Sequence, residues 1–189
     1  MLDEEEVPEA VYYKKILSSL SELDTTGGDK TDLAETMKTF EEYNDSQNVS
    51  AAKMLNYKIL GDIYMIYPTS IEGAVDSAIR VADKGLDEVE DLDSDELLTE
   101  YTIDFSDVLY KAYRERAEES DDNTEKMQDY NMAITYCEEI LSIISDDTQE
   151  KDRCKYVCDV AEMYEKTGNL EAAKEKYEAG VQEFGTKYK

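Results

Sequence analysis

Three cysteines are the residues best placed to do chemistry. Cys154 and Cys158 stand four apart, so on a helix they share one face, and Cys137 belongs to the helical segment before them. Three thiolates could begin a metal site that an acidic side chain completes. An i,i+4 thiol pair without a second pair is a weak metal signature, however, and the simpler reading is small, soft core residues at helix contacts. The run Asp91-Leu92-Asp93-Ser94-Asp95 imitates the opening of a calcium loop. Such a loop needs glycine at its sixth position and glutamate at its twelfth. Those places hold Glu96 and Thr102, so the run reads as an inter-helix turn followed by a helix start. Carboxylates are so abundant that none is singled out as half of an acid–base dyad.

The chain has no histidine, which removes the commonest general base and metal ligand. It contains no GxGxxG, no GxxxxGK[ST] and no GxSxG. The expectation is a non-catalytic protein that needs no cofactor and no metal.

Charge sets the class of partner. Asp and Glu number 47 against 20 Lys and Arg in 189 residues, a formal net charge of −27. Nucleic acid and anionic lipid surfaces repel such a field. The acidity serves either solubility or the steering of basic partners. The opening Met1-Leu2-Asp3-Glu4-Glu5-Glu6 is acidic where a secretory signal is basic and then apolar. No stretch approaches the ~18 uninterrupted apolar residues of a membrane span. Asn48-Val49-Ser50 fits a glycosylation pattern that has no secretory context here. An odd cysteine count does not suggest a disulfide framework. A cytoplasmic protein is expected.

The elements that position these residues are helices. Two prolines and eight glycines leave few breakers, and no strand alternation occurs. Apolar stripes of helical period predict eight segments: Pro8–Leu23, Thr31–Asn44, Ser50 to before Pro68, Ser70–Leu92, Ser94–Glu119, the stretch after Asn123 to Ser145, Gln149–Lys166 and Leu170–Phe184. Each has one apolar stripe and cannot bury it alone, and short joins make neighbours antiparallel.

Internal similarity sharpens this picture. Tyr57-Lys58-Ile59-Leu60-Gly61-Asp62-Ile63-Tyr64 carries a ring, then Leu-Gly, then a second ring at the spacing of a 34-residue helix-turn-helix repeat. Near the end, Ala161, Tyr164, Gly168, Ala173 and Tyr177 occupy the later slots, with Gly180 in another small-residue slot. At these two places the chain resembles the tetratricopeptide repeat family. The resemblance implies one all-helical domain over residues 1–189, a right-handed α-solenoid of about four degenerate helix pairs over 8–44, 50–92, 94–145 and 149–184. An irregular helical bundle is the alternative.

The resemblance also implies a protein-binding scaffold whose first helices line a concave groove. The family's groove positions fall on Leu55, Lys58, Asp62, Met65 and Ile66 in one repeat. In the last repeat they fall on Lys155, Cys158, Glu162, Glu165 and Lys166, and in the long fifth helix on Tyr110 and Tyr113. Relatives that clamp a peptide's terminal carboxylate do so with Lys, Arg and Asn. This groove is too acidic for that, so the expected partner is a protein or peptide segment with basic and apolar side chains. The alternatives are an acidic holdase-like chaperone for basic clients and a metal-binding protein built on the three cysteines.

Overall fold

The computed structural model of the chain describes residues 8–26, 30–144 and 150–185, with the side chains of all of these except 22–31. Within them the chain is all-α, with eight helices and no strand. The helices are α1 (Pro8–Thr26), α2 (Lys30–Asp45), α3 (Ala51–Ile66), α4 (Ala74–Val89), α5 (Asp95–Glu119), α6 (Asn123–Ile143), α7 (Glu150–Lys166) and α8 (Leu170–Phe184). None of them is long and apolar enough to cross a membrane. The acidic opening Met1–Glu6, the turn at Gly27-Gly28-Asp29, the join at Asp146-Asp147-Thr148 and the repeat limits Ser145 and Gln149 lie outside the described residues.

Local chemistry sets the ends of these helices. Ser50 and Ser94 cap α3 and α5 by accepting from the N–H groups of Lys53 and Leu97 at 3.2 and 3.3 Å. Asp122 caps α6 by accepting from Thr124 and Glu125 at 2.7 and 3.1 Å. Pro68 disfavours helical backbone at Tyr67, and α3 stops at Ile66. Gly168, at φ 76°, makes the left-handed turn between α7 and α8.

Three boundaries differ from the sequence reading by three residues or more, one of them the end of α4, at Val89 and not Leu92. The first helix continues through Asp24, Thr25 and Thr26 rather than ending at Leu23. Threonine and aspartate are only mildly poor helix formers, too weak to stop a helix already running. The fourth helix starts at Ala74, not Ser70. The N–H groups of Ser70 and Ile71 both donate to the Tyr67 carbonyl, at 3.1 and 3.2 Å, and Gly73 is left-handed at φ 66°. A helix cannot run through that conformation. Ile71 is nevertheless buried, held by the turn instead of by a helix face.

Each helix packs on its neighbour in the chain, and α3 also lies against α5. The glycine of the Leu-Gly pair explains that second contact. A Cβ at Gly61 would stand 3.1 Å from a Val108 methyl, so glycine spares Val108 a shift of a few tenths of an ångström where α3 approaches α5. The core forms two clusters that meet along α5. One joins α1 to α5 around Phe40, Tyr57, Leu60, Phe105 and Leu109. The other joins α5, α6 and α7 around Tyr110, Ile140, Val160 and Met163.

Fifteen tyrosines and no tryptophan give these clusters a distinctive fastening. A buried phenol needs a hydrogen-bond partner, and an acidic chain has carboxylates to supply it. Tyr57 donates to Asp45 at 2.7 Å, Tyr156 to Asp107 at 2.8 Å and Tyr110 to Asp159 at 3.0 Å. Tyr164 and Tyr177 donate to Glu138 and Glu165 at 3.3 and 3.4 Å. Each oxygen ties one helix to another, and the buried rings of Tyr57, Tyr110 and Tyr156 also fill packing layers. Of the repeat-signature residues, Tyr57, Leu60, Gly61, Tyr64, Ala161 and Ala173 are buried, Tyr164 is half-buried, and Tyr177 stands exposed beside α7.

Candidate partner-binding groove

Between α3 and α5 lies an open cleft of about 500 Å³. Met65, Ile66, Val108 and Tyr110 give it an apolar lining, and Asp62, Lys111, Arg114 and Glu115 line it with charge. Four groove residues named from the sequence, Asp62, Met65, Ile66 and Tyr110, thus meet in one place. Ile66 is 66% exposed, and Leu55 is exposed on the same helix. Leu55 lies outside the cleft lining. Lys58 spans one turn of α3 to pair with Asp62 at 2.7 Å.

The remaining candidates are distributed differently. Lys155 projects from α7 over the rings of Tyr110 and Tyr156. Glu162 pairs with Arg114 at 3.1 Å. Glu165 is exposed on α7 and faces α8 through Tyr177. Tyr113 turns toward α6, where it stacks on Tyr136 with ring centroids 5.9 Å apart, and Arg116 covers it at 5.1 Å. It does not line the cleft. The repeat pattern puts Tyr110 and Tyr113 together, and a three-residue step leaves them about 60° apart around α5. That offset suffices to set one ring in the groove and the other against α6.

The structure adds residues the sequence reading passed over. Asp104, Asp107, Lys111 and Arg114 recur at three- and four-residue steps, which places them on one stripe of α5. That stripe of two acids followed by two bases at helical spacing was the available signal. Lys111 pairs with Asp107, and Arg114 bridges α5 to α7 through Asp159 at 3.3 Å and Glu162 at 3.1 Å. Asp104 is the least comfortable carboxylate here. Burial pushes its pKa up; Lys58 opposes the rise, while Asp62, Glu100 and Asp107 add to it, and the outcome is about 6.

That shift gives a testable slope. With its pKa raised, the folded state holds the Asp104 proton in a pH window where the unfolded chain has lost it. Stability therefore falls as pH rises from about 4 to about 6. Asp104→Asn is expected to raise stability at pH 7 by up to about 1 kcal/mol, the effect being limited because the site is partly solvated. The gain should disappear by about pH 4. Urea midpoints of both proteins at the two pH values measure it.

The chain matches no protein-family model and no curated protein.

The three thiols do not converge. Cys137 is buried and lies 3.6 Å from the Tyr156 carbonyl, to which its S–H donates. Burial, followed by the charges of Asp159 and Asp107, drives its pKa up and keeps it a neutral thiol. Cys154 and Cys158 line a separate cleft of about 220 Å³ against α8, with Val157, Tyr177 and Val181. Among the described residues no three potential ligands of the His, Cys, Asp and Glu types are gathered as a metal would require.

Proposed function

We propose that the chain is a non-catalytic interaction module, an α-solenoid of tetratricopeptide type that docks a peptide or partner-protein segment along α3, α5 and α7. The observation that carries this reading is the cleft of about 500 Å³ with exposed Ile66 at its apolar lining and Asp62 and Glu115 beside Lys111 and Arg114 around it. Two features of the fold support the solenoid form. Interhelical bonds such as Tyr57–Asp45, Arg80–Glu41 and Arg114–Glu162 join helices one or two apart in the chain, as stacked pairs require. The core likewise runs along the chain in two clusters instead of closing around one centre.

The partner's chemistry follows from the walls. Apolar anchors replace water on Met65 and Ile66, and a Lys or Arg beside them meets Asp62 and Glu115. A pull-down from native lysate at low and high salt tests this reading. A small set of proteins should be enriched over a charge-matched acidic control, and their capture should weaken as salt rises. Indiscriminate capture of basic proteins would instead favour the holdase reading, and no enrichment over the control would overturn docking altogether.

A further inference from the structure

Beside the cleft, α5 and α7 build a second feature from aromatic rings. Tyr110 and Tyr156 meet edge to face, with centroids 5.7 Å apart and planes at 79°. Their oxygens are tethered across the same gap. Tyr156 of α7 donates to Asp107 of α5, and Tyr110 of α5 donates to Asp159 of α7. The two bonds run in opposite directions, so neither ring can swing without breaking one of them. The result is a rigid corner of two π faces backed by two carboxylates.

This corner already holds a cation. The Lys155 ammonium lies 5.6 Å from the Tyr110 centroid and 5.1 Å from that of Tyr156. Two ring faces near one ammonium, with carboxylates behind them, form the arrangement by which proteins recognise ammonium ligands. Lys155 itself is exposed, and its flexible four-carbon stem can swing away into water. Its grip is that of an exposed cation–π contact, which is weak. Both rings are buried with Lys155 in place, at 3% and 8% exposure, and Tyr110 also borders the cleft.

We propose that Tyr110 and Tyr156 form a lysine-binding cage and that Lys155 is its built-in occupant, displaced when a partner's lysine side chain enters. This rests on the docking reading and deepens it: the partner segment carries a lysine next to its apolar anchors. The cage selects for an ammonium because its own occupant is one, and because the tyrosine oxygens are committed to Asp107 and Asp159 instead of to the ligand. The bound ammonium therefore meets ring faces, while Asp107 and Asp159 stay paired with Lys111 and Arg114.

The test uses n-butylammonium, the lysine side chain as a free molecule, with n-butanol as its neutral counterpart. Ring-proton shifts of Tyr110 and Tyr156 are followed by NMR at fixed ionic strength, in the wild type and in Lys155→Ala. Thermal melts check that both proteins are folded. Butylammonium should shift these two rings saturably in Lys155→Ala, at a midpoint about two- to fivefold below that of the wild type, where Lys155 competes. Butanol should leave them unmoved. Equal midpoints in the two proteins, equal shifts with butanol, or no saturable shift in Lys155→Ala would overturn the cage. Because no partner is present, such a failure is separable from failure of the docking reading, which the pull-down decides.

Discussion

Phe105→Ala is expected to cost about 3–5 kcal/mol of stability, one of the largest losses available to a single substitution in this chain. The ring is wholly buried and sits directly on the backbone of α4. A Cβ at Gly85 would stand 2.4 to 2.5 Å from three of its atoms. Gly85 is therefore the socket for the ring, and the pair pins α4 to α5. Gly85→Ala puts two effects in opposition. Alanine is a better helix former by about 1 kcal/mol. Against that, the added methyl drives into an aromatic ring enclosed on all sides, and overpacking of this kind costs about 1–3 kcal/mol. The clash should win, and Gly85→Ala should destabilise. Gly85→Ala combined with Phe105→Leu should then recover part of the loss, because the smaller side chain makes room for the methyl. Urea unfolding of the wild type, Gly85→Ala, Phe105→Leu and the double variant gives the coupling directly. A neutral or stabilising Gly85→Ala would contradict the socket.

The second large effect lies on the side of the fold formed by α2 and α4. Glu41 is only 4% exposed, and both its oxygens are engaged. Arg80 grips it with two bonds, at 2.9 and 2.6 Å, and Lys84 adds a third at 2.8 Å. Lys84 also reaches Asp45, the acceptor of the Tyr57 hydroxyl, so one network ties α2, α3 and α4. Burial alone would push the Glu41 pKa up, but the hydrogen bonds and charges of Arg80 and Lys84 outweigh it and hold the carboxyl below its ordinary value. The network's contribution is thus complete above the ordinary carboxylate pKa and is lost as pH falls through the depressed one.

Which partner is removed decides the cost. Arg80 and Lys84 keep contact with water, so Glu41→Gln leaves two cations that can still be solvated. Arg80→Met with Lys84→Met leaves a buried carboxylate with no compensation, a defect worth about 3–5 kcal/mol at neutral pH. The difference from wild type should narrow near pH 4.5, where an unpaired Glu41 takes up a proton. Urea midpoints at pH 7 and 4.5 measure both statements. Equal costs for the two variants, or a gap that does not narrow in acid, would remove Glu41 as the buried centre of the network.

Helix type and most helix ends were legible in the sequence because their causes are local. Ser50 and Ser94 cap as their positions suggest, Pro68 ends α3, and α8 spans Leu170 to Phe184. The start of α4 was misread because Ile71 is apolar and in phase with the helix that follows. Only the left-handed backbone of Gly73 separates the two, and an apolar pattern carries no record of φ. In the groove, the α3 residues Asp62, Met65 and Ile66 and the α5 residue Tyr110 were found through the repeat pattern, and the structure gathers them around one cleft. Tyr113 shows where that projection fails, since its direction depends on the register of a helix 25 residues long. The Tyr110–Tyr156 corner was invisible for another reason. Its parts lie 46 positions apart, and only the packing of α5 against α7 brings them together. Composition did hold a hint of the tyrosine–carboxylate fastening, in the abundance of both residue types, but not of which tyrosine takes which acid.

The docking face itself is tested most directly by moving one defect between two exposed apolar surfaces. Met65→Glu with Ile66→Glu places charge in the cleft, whereas Leu170→Glu with Val181→Glu places the same charge on α8, where both residues are 67% exposed. Partners enriched by the wild-type protein at low salt are then quantified on each variant, with melting temperatures confirming that both variants fold. The cleft variant should lose most of the captured partner and the α8 variant should keep it. Retention by the cleft variant, or equal loss from both, would contradict a partner docked along α3, α5 and α7.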